Sequence, residues 1–226
     1  MILEVFLALL LTTYVNADCP TAVNETCNPE LIQCCGQNLM SILNLTACPG
    51  DLSYEPECHR SQIESIYANG TTGLFSICNA FNSYYSCLGI ARADCTSIGY
   101  HMKLGLDLPK ALQSVSLYRQ FGFSCGAGLE GFVNNDDCMS KVFTNHADEI
   151  SVCRKQFASN IYYDYPNRCT HFEELTGCYA SAFIKEGCTS EGSWWGCEYA
   201  RQGSRIVLHD CDLQCSYDNG LSFLKQ

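Results

Sequence analysis

The sequence predicts an all-α fold built from two tandem, disulfide-rich helical modules. Cys35, Cys125 and Cys215 lie at equal intervals of 90 residues, and the cysteines between them recur in nearly the same order, which indicates a tandem repeat. The chain carries 18 cysteines among 226 residues. Apolar residues between the cysteines recur at helical spacing, and no alternating polar and apolar stretch is long enough to predict a sheet.

Both halves share a framework of six cysteines, and differences in length fall where loops can absorb them. We therefore divide the chain into a signal peptide at 1–17, an N-terminal cysteine-containing segment at 18–33, module 1 at 34–124, and module 2 with a C-terminal extension at 125–226. The framework consists of Cys35, Cys48, Cys58, Cys78, Cys87 and Cys95 in module 1 and Cys125, Cys138, Cys153, Cys169, Cys178 and Cys188 in module 2.

The first 17 residues predict a cleaved signal peptide. Val5–Leu11 is a short apolar run that leads to Val15-Asn16-Ala17, a small-residue cleavage site. This run is too short for a transmembrane helix, which needs about 20 apolar residues, and the tail Leu221–Gln226 carries no second span or lipid-anchor signal. We expect a secreted, extracellular protein without a membrane anchor, and the many cysteines suit an oxidising compartment.

Three kinds of helix are predicted from the spacing of apolar residues. A short helix begins each module, at Cys35 and at Cys125. A longer helix follows around the Cys-x2-Phe-x5-Cys run of each module, and its two apolar faces predict a buried position at the module centre. Another helix starts at Asp107, a suitable N-cap with Pro109 in the first turn. Its apolar stripe consists of Leu108, Ala111, Leu112, Val115 and Tyr118.

We expect nearly all cysteines to form structural disulfides, since each adds roughly 2–4 kcal/mol to a module whose own core is marginal. Internal pairing of both frameworks leaves three cysteines at each end of the chain, Cys19, Cys27 and Cys34, and Cys197, Cys211 and Cys215. Because three is odd, full pairing in a monomer then requires a bridge between the two ends. Adjacent Cys34 and Cys35 allow a vicinal disulfide, but separate bridges are favoured because Cys35 alone belongs to the repeat.

The charge balance excludes several partner classes. The chain has 24 acidic and 13 basic residues, a net charge of −11, and removal of the signal peptide with Glu4 leaves −10. Such a chain repels phosphate backbones and sulfated glycans, and it contains no run of Lys or Arg. Nucleic acid and heparin are therefore poor partner candidates.

No known catalytic or metal-binding motif is present in the sequence. The five histidines are scattered singly and no Cys-x2-Cys pair exists, so no metal or cofactor is predicted. Two carboxylates across a cleft could serve a glycosidase, but adjacent acids usually form a solvated surface. The pairs considered are Asp136-Asp137, Asp148-Glu149 and Glu173-Glu174.

Two groups of residues are candidates for modification and binding. Asn24, Asn44 and Asn69 begin Asn-x-Thr glycosylation acceptors, all in the first half of the chain. Aromatic residues cluster in the second half, where the two modules differ, and they predict a contact surface, with burial in the core as the alternative. These aromatic residues are Tyr162, Tyr163, Tyr165, Trp194 and Trp195.

The Cys-x2-Phe-x5-Cys-Leu run at Cys78–Leu88, with its echo at Cys169–Tyr179, resembles the secreted cysteine-rich helical domains of unknown function that are expanded in nematodes. The resemblance spans roughly Cys35 to Cys215. It implies a small, secreted, non-enzymatic helical domain and carries over no functional residues. Some secreted nematode proteins of this general kind are chondroitin proteoglycans, but this chain has no Ser-Gly dipeptide for chain attachment.

The sequence thus predicts a secreted, glycosylated, disulfide-stapled protein with a non-catalytic binding or structural role. Its expected partner is an extracellular protein or glycan, and its ligand is not specified by any motif. A secreted hydrolase or an enzyme inhibitor with an unfamiliar site is the alternative. Converging carboxylates or a partnered histidine in a cleft would favour the enzyme.

Overall fold

The computed structural model describes residues 19–206 and 208–216, and within these ranges the protein is all-α and disulfide-rich, as predicted. The predicted signal peptide at 1–17 and the tail at 221–226 lie outside the described residues. Short 3-10 turns occupy Tyr67–Asn69, Gly89–Ala91 and Tyr165–Asn167. The α-helices are α1 (Pro29–Ile42), α2 (Pro56–Ile66), α3 (Gly70–Leu88), α4 (Arg92–Cys95), α5 (Ile98–Lys103), α6 (Leu108–Ser124), α7 (Leu129–Asn134), α8 (Asp136–Asn145), α9 (Ala147–Tyr163), α10 (Arg168–Lys185) and α11 (Ser190–Ser204).

Helix starts follow the chemistry of N-caps. The side chain of Asp107 accepts the Lys110 N–H and Pro109 lies in the first turn, which confirms the predicted start of α6. Asn28 caps α1 in the same way, so that helix begins at Pro29 rather than at the predicted Cys35.

The predicted helix start at Cys125 is wrong. Cys125 is the C-cap of α6, and its N–H donates to the carbonyl oxygen of Phe121. The next helix, α7, begins only at Leu129. The apolar pattern of α6 continues through buried Phe121 and Phe123, so the residues before Cys125 extend an existing helix.

The main hydrophobic core contains residues from both halves of the chain, and two smaller buried clusters lie beside it in the described ranges. The ring centroid of Tyr67 lies 5.2 Å from that of Phe132 and 4.8 Å from that of Phe143. Trp195 stacks on Tyr199 with a centroid distance of 4.9 Å. The predicted central helices, α3 and α10, both bury apolar faces. None of the helices in the described ranges has the length and apolar character to cross a membrane.

Nine disulfides pair all 18 cysteines. Cys34 and Cys35 form separate bridges, which confirms that they are not a vicinal pair. The bridges are Cys19–Cys34, Cys27–Cys95, Cys35–Cys87, Cys48–Cys58, Cys78–Cys125, Cys138–Cys188, Cys153–Cys178, Cys169–Cys211 and Cys197–Cys215.

This pairing contradicts the expectation that each framework pairs internally. Cys78–Cys125 joins the two halves, while Cys27–Cys95 and Cys169–Cys211 connect framework cysteines to the chain ends. No bridge between the two end groups is therefore needed. Cysteines at matching positions of the repeat do not have equivalent positions in the fold, because Cys78 lies in the middle of α3 whereas Cys169 is the second residue of α10.

Candidate functional site

A cleft of about 670 Å³ opens along α6, with further walls from α2, α9, α10 and α11. We call it the α6 cleft. Its volume falls within the range of roughly 300–1,000 Å³ that is usual for small-molecule sites. Its walls are mainly apolar, and they include Leu112, Phe157, Ile161 and Leu175.

One face of α6 supplies a long wall of this cleft. Its residues follow at intervals of four, which places them on one side of a helix: Leu108, Leu112, Ser116 and Gln120. Leu108 is 50% exposed and Gln120 only 2% exposed, so the wall runs from solvent into the interior. At 1.5 Å per residue its length is about 18 Å.

The predicted apolar stripe of α6 is therefore divided between two surroundings. Leu108 and Leu112 line the cleft, whereas the other members are buried in the core. The core members are Ala111, Val115 and Tyr118. In the sequence, the signal for the cleft wall was a spacing of four residues that ends in Ser116 and Gln120. A search for apolar residues alone overlooks this pattern because these two residues are polar.

A buried ion network lies at the α2 side of the cleft. The Arg154 guanidinium, 8% exposed, donates from Nη1 to Glu64 Oε2 at 2.8 Å and to the Tyr179 hydroxyl at 2.9 Å. Its Nε donates to Glu57 Oε2 at 3.1 Å. Glu64 also accepts the Tyr199 hydroxyl at 3.1 Å, so its carboxylate is held from two helices.

Arg60, which lies 3.4 Å from Glu57, joins this network, so two arginines face two glutamates and the charges are matched. Burial by itself lowers the pKa of Arg154, but the carboxylates of Glu64 and Glu57 outweigh burial and raise that pKa well above its ordinary value. Burial raises the pKa of Glu57, yet Arg60 and Arg154 together bring it below its ordinary value. Burial also raises the pKa of Tyr179 to about 12, so its hydroxyl stays protonated at neutral pH.

Two cleft residues carry a buried polar atom that has no hydrogen-bond partner in the described part of the chain: Arg60 Nε, which is ion-paired with Glu57 at 3.4 Å, and Gln120 Oε1 at the inner end. Gln120 Nε2 donates to the backbone oxygen of Tyr199 at 3.2 Å, while Gln120 Oε1 is unpartnered. Since a backbone oxygen can only accept, this contact fixes which end of the amide is the nitrogen. A Cβ at Gly203 would lie 2.7 Å from Ser116 Oγ and 2.8 Å from Gln120 Cδ, so α6 and α11 approach closely here.

The tyrosines proposed for binding lie beside the cleft. Tyr162 and Tyr165 line it, and they are 73% and 50% exposed. Tyr163 is 81% exposed, and its ring packs edge-on against Tyr162 at a centroid distance of 4.8 Å. The structure thus places these three residues at the surface, with two of them at the cleft itself.

The tryptophans proposed for the same surface lie elsewhere. Trp195 is fully buried, and its Nε1 donates to the Gly128 oxygen at 2.8 Å, so its assignment to a contact surface is corrected to the core. Trp194 is half-buried and packs edge-on against Phe123. Trp195 and Tyr199 are four residues apart in α11 and therefore share its inner face, a relation that helical spacing already contained.

The carboxylate pairs considered for hydrolysis lie outside the α6 cleft. Four of their six members contact nearby basic or polar groups: Asp136 accepts from Thr71, Asp137 from Lys141, Glu149 contacts His146, and Glu174 contacts His171. Hydrogen bonds from the His171 ring to the carboxylates of Glu174 and Asp164 raise the pKa of His171. These histidines are partnered and half-buried, but neither lines the α6 cleft.

The sulfurs of Cys19, Cys35 and Cys87 lie within 4.8 Å of one another in the described structure. All three are disulfide sulfurs and therefore lack the thiolate that binds metals. The three glycosylation acceptors, Asn24, Asn44 and Asn69, are all exposed.

Comparison with known proteins identified no relative of this chain. No protein-family model matches the chain, and no curated protein or solved structure matches it. Any functional argument therefore depends on the α6 cleft and its surroundings.

Proposed function

We propose that this protein is a secreted, glycosylated, non-catalytic binding protein that holds a small apolar or amphipathic molecule in the α6 cleft. The cleft itself carries the proposal. Protein interiors are close-packed and contain few voids larger than a water molecule. A mainly apolar opening of about 670 Å³ beside a fully packed aromatic core is therefore suited to an occupant.

The proposed location and modification are supported by other features. Nine disulfides are typical of proteins from oxidising compartments, and the sequence predicts a signal peptide. Asn24, Asn44 and Asn69 are exposed and so are accessible to glycans. The resemblance to secreted nematode domains of unknown function agrees with a non-enzymatic role.

The contacts around the cleft favour binding over hydrolysis. Its acidic groups, Glu57 at the wall and Glu64 behind it, are held by Arg154, which leaves neither carboxylate free to act as a general acid or base. No histidine lines the cleft among the described residues. The alternative of a secreted hydrolase therefore has no supporting geometry in this cleft.

Blocking the cleft tests the proposal. Ala158 is an exposed residue of the cleft wall, and Ser159 is its exposed neighbour outside the wall. We expect the uncharged dye Nile red to bind the secreted protein saturably at one site. Ala158→Trp should weaken binding by about tenfold or more because the indole occupies the cleft, whereas Ser159→Trp should bind as the wild type does.

Fluorescence titration measures the dye affinity, and mass measurement before and after N-glycosidase treatment reports the glycans on the same sample. Equal dye binding by wild type and Ala158→Trp would place binding outside the α6 cleft. A complete lack of dye binding by the folded wild type would reject the proposed function.

A further inference from the structure

We infer that the ligand of the α6 cleft is an uncharged amphipathic molecule whose buried end carries a hydroxyl group, recognised by Gln120. This inference rests on the proposed function and adds the chemical class of the ligand to it. Three properties of the cleft support it: an unpartnered acceptor, buried charges that are already paired with one another, and an elongated apolar wall.

The acceptor is Gln120 Oε1. Gln120 lines the cleft and is 2% exposed, and this oxygen has no hydrogen-bond partner among the described residues. An unsatisfied buried carbonyl is costly, and most such groups in native proteins are paired with protein or with another molecule. The amide nitrogen is already committed to Tyr199, so only the acceptor is available. A ligand group that reaches this oxygen is favoured if it supplies a donor, which a hydroxyl does and an ether or carboxylate does not.

The charges argue against an ionised end. Arg154 is shared by Glu57, Glu64 and Tyr179, so its guanidinium offers no free fork to a ligand carboxylate. Arg60 Nε has no hydrogen-bond partner among the described residues, but it lies 3.4 Å from Glu57 Oε1 in an ion pair, and Nη2 of Arg60 donates to the Gln113 backbone oxygen. A carboxylate at the inner end would also meet the lone pairs of Gln120.

A cationic end is no better suited to this cleft. Three basic residues, Arg60, Arg154 and Lys155, line it together with one acidic residue, Glu57. Lys155 is exposed, so its charge is hydrated. An ammonium group would lose its hydration on entry and would gain no unpaired carboxylate from the described lining.

The shape fits a molecule with one polar end. The α6 wall extends about 18 Å from exposed Leu108 to buried Gln120. Apolar Leu112, Phe157 and Ile161 lie along the cleft, so an apolar body can extend from Gln120 toward the opening. Long-chain alcohols have this combination of an apolar body and a terminal hydroxyl.

Three probes with similar alkyl chains but different head groups distinguish the possible ligands: dodecanol, dodecyl methyl ether and dodecanoate. Calorimetric titration of the full chain should give dodecanol an affinity about tenfold above that of the ether, the effect of one net hydrogen bond. Gln120→Leu should remove this preference, so that dodecanol and the ether bind the variant with about equal affinity.

Gln113→Leu is the matched control, because Gln113 is a cleft residue of the same helix whose backbone, rather than its side chain, contacts Arg60. It should keep the preference for dodecanol. Gln120→Met provides a second variant of similar shape if Gln120→Leu folds poorly, and thermal unfolding checks both.

Dodecanoate that binds more tightly than dodecanol, or an ether that equals the alcohol, would overturn the inference. Nile red binding without binding of dodecanol would also overturn it while the proposed function stands. Dodecanol binding that appears only after deletion of residues 217–226 would assign the cleft to the end of the chain itself and would likewise overturn it. A failure of both Nile red and dodecanol rejects the proposed function together with the inference.

Discussion

Buried His101 should make the protein less stable in mild acid. The side chain is fully buried, and its ring stacks on Tyr118 with a centroid distance of 5.9 Å. Neither ring nitrogen has a hydrogen-bond partner among the described residues. Burial therefore lowers the pKa of His101 from the ordinary 6.5 to about 4, because nothing in its surroundings compensates the charged form.

The sign and size follow from proton linkage. The folded-state pKa of His101 lies below that of the unfolded chain, so the unfolded state binds the proton more tightly. The contribution of the neutral ring is complete above about pH 6.5 and is lost as the pH falls toward 4. This difference corresponds to roughly 3 kcal/mol, a substantial part of the roughly 5–15 kcal/mol that stabilises a typical domain.

Urea unfolding of the wild type and of His101→Phe, at about pH 7.5 and about pH 4, measures this contribution. Phe keeps an aromatic ring against Tyr118 and cannot titrate. When the pH is lowered from the first value to the second, the free energy of unfolding of the wild type should fall by roughly 3 kcal/mol more than that of the variant. Other titrating groups cancel in the comparison. Parallel pH profiles for the two proteins would refute the reasoning.

Two further predictions concern the ion network and the bridge between the halves. Arg154→Met should lower the free energy of unfolding by about 3–5 kcal/mol because it leaves Glu64 buried without its partner. In urea unfolding, the double variant that also carries Glu64→Gln should recover much of this loss. A double variant as unstable as Arg154→Met alone would contradict this. Replacing the Cys78–Cys125 bridge with serines should lower the free energy of unfolding by about 4 kcal/mol, and replacing Cys48–Cys58 should lower it by about 3 kcal/mol. The first loss is larger because that bridge closes a longer loop, with a separation of 47 residues rather than 10. Calorimetry should show one unfolding transition for both serine variants, whereas two resolved transitions would mean that the halves have independent cores.

Local features of the sequence determined the secondary structure. Helical spacing of apolar residues predicts the all-α class, and the side chain of Asp107 with Pro109 predicts the start of α6, because capping depends on residues within one turn. The density of cysteines likewise predicts a stapled fold, since pairing requires only that thiols meet in an oxidising compartment. At Cys125 local reasoning failed, because the preceding helix continued up to it.

Only the tertiary structure decided which cysteines meet and which aromatic residues are buried. Cys78 and Cys125 pair because α3 and the end of α6 lie together in space, and no spacing rule contains that contact. Trp195 and Tyr163 each belong to a pair of adjacent aromatic residues, but the packing of α11 against the core buries the tryptophan and leaves the tyrosine exposed.

The α6 cleft likewise depends on the tertiary structure. Arg154 donates to Glu64, which is 90 residues away in sequence, and Gln120 donates to Tyr199, which is 79 residues away. A cavity exists only where separate helices leave space between them, so its volume and its unpartnered oxygen depend on helix packing. The sequence determines which faces each helix can offer, and the packing of those helices determines which faces enclose a site.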